Sequence, residues 1–142
     1  MMENRRLDRF IEAQKKAYPI ALAEIQNGKK MSHWMWYIFP QIKGLGYSET
    51  SIYYAIADKT EAQDYLQHPI LGTRLKEIFQ ALLTHRGTPI HQILGGDAVK
   101  LKSSATLFHT ISGEVETVFS EVLATFFNHQ QDEKTLTILN SI

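Results

Sequence analysis

The sequence predicts an all-α protein, a single compact domain over residues 1–142 built from about eight short helices of ordinary length. Three observations carry that prediction. Apolar residues recur at helical spacing along almost the whole chain. No stretch shows a sustained strand-like alternation, and no Asn-Gly or Asp-Gly dipeptide marks a hairpin. Proline and glycine fall where such helices start and stop.

In the first unit, Leu7, Phe10, Ile11, Gln14, Tyr18, Ala21, Leu22 and Ile25 keep one face in register, and Gly28 is placed to end the helix. Pro19 falls within this pattern. It lacks a backbone donor and clashes with the carbonyl four residues back, so a break or kink is expected near Tyr18. The segment "HWMWYIF" is rich in strand-prone aromatics. A lone strand would leave its backbone groups unpaired, so a short buried helix ending at Pro40 is expected instead. "PQIKGLGYSETS" then forms the main loop. Thr60, with Gln63 three residues on, has the pattern of a capping box. Leu71, Leu75, Ile78, Leu82 and Leu83 form the strongest amphipathic stripe, between Pro69 and Gly87. His68 is expected to cap or cover its start. Thr88-Pro89 opens a short helix, Asp97 the helix "AVKLKSSATLFHTI", and Asp132 the last one. Val115, Val118, Phe119, Val122 and Phe126 make the remaining stripe.

Composition narrows the function. Fifteen basic and 15 acidic residues leave no net charge, which argues against a nucleic-acid partner or an anionic membrane surface. Cysteine is absent, excluding disulfides, thiolate zinc sites and cysteine nucleophiles. No segment has the apolar length of a signal peptide or a membrane span, so a cytoplasmic location is expected. The six histidines match no metal-ligand spacing. Neither a phosphate-binding P-loop nor a nucleophile elbow occurs, and no cofactor is implied.

Two regions remain as candidate chemistry. The decapeptide "SHWMWYIFPQ" sets Ser32 and His33 before two tryptophans and Gln41 after them, followed by a loop with Gly44 and Gly46. Its aromatics can pack as core or wall a half-wet cavity, where Trp34 or Trp36 would stack on a planar ligand. His33 is the candidate for proton transfer. In "GGDAVKLKSS", two glycines precede a helix start that can receive an anion, with Lys100 as counter-charge and Ser103 and Ser104 as hydroxyl donors. Residues 25–48 contain three lysines and no acid, and residues 78–113 only Asp97. Brought together, these stretches would form a locally positive hollow for an anionic small molecule, such as a nucleotide or an ADP-ribose-like compound. The alternative is a non-enzymatic module whose exposed aromatics dock another protein.

The strings "KKMSHWMWYIFPQIKGLGYSETSIYYAI", "EAQDYLQHPILGTRL" and "DAVKLKSSATLF", with "RFIEAQ" near the start, resemble the domain-of-unknown-function 1810 family of small bacterial proteins, some of which carry the label calpastatin. Ala105 departs from the methionine usual there. The resemblance implies a mainly helical fold and no particular activity. It draws attention to Ser32, His33, Trp34, Trp36, Pro40, Gln41, Gly44, Gly46, Lys100, Ser103 and Ser104.

Overall fold

A computed structural model describes residues 5–142. A 3-10 turn, Arg5–Leu7, leads into helix α1, Asp8–Gln26. The other helices are α2 Met35–Ile38, α3 Glu49–Tyr53, α4 Lys59–Gln67, α5 Leu71–Leu83, α6 Ile90–Leu94, α7 Ala98–Ser112, α8 Val118–Phe127 and α9 Glu133–Asn140. A second 3-10 turn, Gly95–Asp97, joins α6 to α7. Among the described residues there is no strand, only one isolated parallel bridge between Ile42 and Ile56. Helix α5 packs against α1, α4 and α8, while α7 lies across α4, α8 and α9.

Helix α5 can occupy the middle because its stripe is buried along its whole length, from Leu71 to Leu83. Aromatic rings run through the core. Phe39 meets Phe79 at 5.2 Å between centroids, Phe79 meets Phe119 at 4.9 Å, and Phe119 meets Phe108 at 5.6 Å. Trp34 joins this series through Phe39 at 6.0 Å. Tilted and edge-on pairs of this kind add roughly 0.5–1.5 kcal/mol each beyond the burial itself. The aromatic decapeptide is thereby tied to the centre of the molecule.

Two polar clamps hold the segments around it. The Arg9 guanidinium is buried against Glu61 (3.2 Å) and donates to the carbonyls of Tyr53 (2.8 Å) and Ala55 (2.9 Å). Gln14, also buried, donates from Nε2 to the Tyr37 carbonyl (2.8 Å) and the Tyr65 hydroxyl (2.9 Å). Each satisfies groups that would be costly to bury unpaired.

Several local expectations need correction. Helix α1 is continuous through Pro19. Pro19 lies on the exposed side, and so does Lys15, whose carbonyl loses its partner there. A carbonyl on the exposed side is open to solvent, so its lost helix bond leaves the buried face uninterrupted. The aromatic helix is shorter than "HWMWYIF": only Met35–Ile38 is helical, and its burial is uneven. Trp34, Met35, Ile38 and Phe39 are in the core, Trp36 and Tyr37 are half-buried, and His33 is exposed. Helix α4 is capped by Asp58, which accepts from the Glu61 N–H, rather than by Thr60. Val115 is 87% exposed and leaves the stripe it seemed to extend. The long loop folds back into α3, with Ser48 as its cap. His68 does cover the start of α5, accepting from the Ile70 and Leu71 N–H groups, and Asp132 caps α9.

Gly72 presses directly on the backbone of α4. A Cβ there would lie 1.9 Å from the Leu66 carbonyl oxygen. In a free helix, Gly→Ala stabilises by roughly 0.5–1 kcal/mol. At this contact the sign reverses, because backbone must move to admit the methyl group. Gly72→Ala is expected to destabilise by about 1–3 kcal/mol or more, read as a lowered midpoint in chemical denaturation.

Candidate functional site

The aromatic segment is positioned by a carboxylate that the sequence did not single out. Glu24, in the last turns of α1, accepts four hydrogen bonds from the chain that follows. They come from the Met31 N–H (2.8 Å), the Ser32 N–H (3.0 Å), the Ser32 hydroxyl (2.6 Å) and the Trp34 indole N–H (2.9 Å). Partial burial works against the charge on Glu24. The bonds from Ser32, Met31 and Trp34 outweigh it and hold the carboxyl at a pKa of about 2. Ser32 and the Trp34 N–H are therefore spent on structure. Trp34 is 2% exposed and presents little of itself to a ligand.

Next to this staple is a hollow of about 290 Å3. His33, Trp36 and Tyr37 form one side, Ser48 and Thr50 the rim, and Lys30, Asp97 and Lys100 the other side. The Lys100 ammonium lies 4.8 Å from the centre of the Trp36 ring, and the Lys30 ammonium 4.9 Å from that of Trp34. Both lysines reach Asp97, Lys30 at 3.0 Å and Lys100 at 2.8 Å. Burial disfavours the charged form of Asp97, but Lys100 and Lys30 together keep its carboxyl below the ordinary range. The start of α7 is therefore arranged around an internal anion. Asp97 stands at the capping position yet makes no side-chain capping bond, because its carboxylate is turned to the lysines.

This geometry changes the charge expected of the hollow. The acid-free stretch begins one residue after Glu24, and the single acid of the second stretch sits between the two lysines. The hollow accordingly sets two ammoniums against one carboxylate, so Asp97 reduces the positive charge expected there without removing it. Lys100 keeps 33% of its side chain exposed, against 10% for Lys30, so Lys100 is the cation within reach of a ligand.

The other predicted residues divide. Gln41, Gly44 and Gly46 line a second hollow of about 280 Å3, which shares Trp36 with the first. Gly46 is tightly constrained: a Cβ would fall 2.5 Å from the Ser51 hydroxyl and 2.9 Å from the Trp36 ring. Gly44 has a φ of +107°, which favours glycine. Ser103 and Ser104 do not join either hollow. Ser103 donates to Asp132 at 3.0 Å, at the start of α9, and Ser104 is fully buried. They lie beyond the first turn of α7, on its packed side, so hydroxyl donors to a ligand at Lys100 are not supplied from there. His33 is exposed, and no described residue makes a hydrogen bond to its ring.

Sequence reasoning missed Glu24, the wall provided by Tyr37, and the rim of Ser48 and Thr50. For Glu24 there was no local signal, since its partners lie seven to ten residues ahead across a turn. Lys30 had a signal in the acid-free stretch, and Asp97 was assigned only to capping.

Fold and site together define a small all-helical protein with an aromatic cleft beside an ionic cluster. The chain belongs to the family described as protein of unknown function (DUF1810), whose model matches residues 4–139. It is similar to a conserved hypothetical protein, Rv1873 from Mycobacterium tuberculosis, known from a crystal structure at 1.38 Å. The two share 37% identity over 94% of this chain and 96% of that one, with a TM-score of 0.89. No curated protein matches the chain. Among the described residues no helix is long and apolar enough to cross a membrane.

Glu24 gives a pH-dependent expectation. Its folded-state pKa of about 2 lies below the ordinary 4.5. Its contribution is complete above the ordinary value and is lost as pH falls through about 2. Glu24→Gln is expected to cost about 1.5–3 kcal/mol at neutral pH, the range for hydrogen bonds to a charged group. In urea titrations the gap between variant and native protein should narrow steadily on acidification through that window.

Proposed function

We propose that the cleft around Trp36 binds a small molecule that is anionic and partly planar, with the dimensions of a nucleotide or an ADP-ribose-like compound. The observation that carries this reading is the pairing of the Lys100 ammonium with the Trp36 ring at 4.8 Å, in a hollow open to solvent. The ring offers a stacking surface, and the ammonium beside it offers a charge-assisted hydrogen bond. Apolar wall and a few convergent polar groups are what a small-molecule site requires. The anion competes with Asp97 for Lys100, so binding proceeds by exchange of one carboxylate for another anion and costs little reorganisation. His33 is the group near enough to exchange a proton with a bound ligand, and in this reading the ligand itself orients its ring.

A second reading is favoured by one observation. Tyr47, Ile52 and Tyr53 stand 85%, 59% and 59% exposed along the loop and α3. Aromatic and aliphatic groups this open suit a protein partner, as an interaction module without catalysis. The first reading is preferred because the Trp36 ring faces a hollow and not a flat surface. In either case the chain is expected to work in the cytoplasm.

Lys100→Ala separates the two. Under the first reading it weakens an anionic ligand by about 1–3 kcal/mol, while the melting temperature changes little because Lys30 still holds Asp97. Titration with inorganic pyrophosphate and with uridine 5′-monophosphate, followed by tryptophan fluorescence, measures the effect. Equal affinity in both proteins, or none in either, overturns the anion site.

A further inference from the structure

The second hollow contains a group that the fold leaves unsatisfied. Gln41 is 3% exposed, and its side-chain Nε2 has no hydrogen-bond partner. The backbone around it is held on both sides: the Gln41 carbonyl accepts from the Ile56 N–H (2.9 Å), and the Lys43 N–H donates to the Ile56 carbonyl (2.8 Å). The isolated bridge thus locks the residue while leaving its carboxamide idle. Gln14, the other buried glutamine described, has its amide fully used. A buried amide without a partner is a net cost to the folded chain, and an apolar residue of the same length would avoid it.

The hollow that Gln41 lines is bounded by Trp36, Ile42, Gly46, Tyr47 and Ala55, among others. Its wall is largely apolar, and Gly46 leaves no room for a side chain between the loop and the Trp36 ring. Each hollow, at about 280 and 290 Å3, falls just below the roughly 300–1,000 Å3 of typical small-molecule sites. Either one alone accommodates a fragment. The two meet at Trp36, which belongs to both.

We infer that the Gln41 hollow is a distinct compartment for an uncharged planar ring bearing a lactam or carboxamide carbonyl, which accepts a hydrogen bond from the Gln41 amide while the ring lies against Trp36 and Tyr47. This inference rests on the ligand reading above and adds to it a division of labour. The Lys100 side receives the anionic part of the ligand, and the Gln41 side receives and discriminates the ring. A hydrogen bond to an otherwise idle buried donor is a strong discriminator, because a ring without the carbonyl leaves that donor unpaired.

The test uses fragments that report on the compartments separately. Uracil carries the lactam without charge, pyridine is a ring of similar size without a carbonyl, and inorganic pyrophosphate is an anion without a ring. Each is titrated into 15N-labelled protein, with the two indole signals assigned through Trp36→Phe. Uracil is expected to shift the Gln41 side-chain amide and the Trp36 indole, and to bind at least ten times more tightly than pyridine. In Gln41→Met, uracil affinity should fall at least tenfold while the melting temperature holds or rises. Pyrophosphate affinity should be unchanged in that variant and reduced in Lys100→Ala. Uracil binding that is absent, or equal in native protein and Gln41→Met, or no better than pyridine, overturns the ring compartment. That outcome leaves the pyrophosphate result to stand or fall by itself. A large drop in melting temperature for Gln41→Met also overturns it, since the amide would then be serving the fold.

Discussion

Everything at the cleft depends on where the Glu24 carboxylate stands. It projects from the end of α1 and gathers backbone and side-chain donors from residues 31, 32 and 34. Gly28, at φ +80°, turns the chain after α1 so that it can come back to that carboxylate. His85 finishes the turn with a hydrogen bond from Nε2 to the Ile25 carbonyl at 2.6 Å. With its N–H held by Glu24, the Trp34 indole has one orientation, inward against Phe39. Helical geometry over the next residues then brings Trp36 out to the surface. One tryptophan is committed to the core so that the other can form a wall.

Asp97 acts similarly on the opposite side. It joins Lys30, in the turn after α1, to Lys100, in the first turn of α7. The Lys30 backbone N–H also reaches the Ile93 carbonyl at 2.7 Å, so α6 is held to the same turn. The ionic cluster is thus a clasp between the two halves of the cleft. Each lysine additionally faces a tryptophan ring, an arrangement worth about 0.5–1 kcal/mol at exposed sites and more where water is excluded. The ring that could stack on a ligand is already polarised by a cation on the side of the first hollow.

Much of the fold was legible because it rests on local periodicity. The α5 stripe, the α1 face, the Asp132 cap and the glycine after α1 all follow from spacing within one or two turns. What was not legible depends on partners remote in sequence or on which side of a helix meets water. Pro19 looked disruptive because a sequence does not show that the carbonyl it orphans belongs to an exposed position. Ser103 and Ser104 looked like ligand donors because their proximity to Lys100 along the chain suggested proximity around the helix. Asp132, 29 residues further on, takes the Ser103 hydroxyl. The pairing of Trp36 with Lys100 was anticipated from what the two stretches share, a lack of acidic residues together with lysines and neighbouring glycines. Asp97, which lies between the two lysines and offsets part of their charge, shows why charge counted along the chain differs from charge in space.

The loop between α2 and α3 converts this framework into a cleft. Its start is held by the Ile42–Ile56 bridge, and its far end by the cap that Ser48 makes on α3. Between them, Gly46 lets the backbone close onto Ser51 and the Trp36 ring at distances no other residue permits. Arg9 and Glu61 fix the chain just beyond α3 through the Tyr53, Ala55 and Ala57 backbone. A loop anchored at both ends and pressed against an aromatic ring has little freedom to collapse into the space beside it. The hollows on either side of Trp36 are therefore a product of the scaffold. That constraint also explains how an idle carboxamide at Gln41 can persist, since the residue cannot turn away from the hollow it faces.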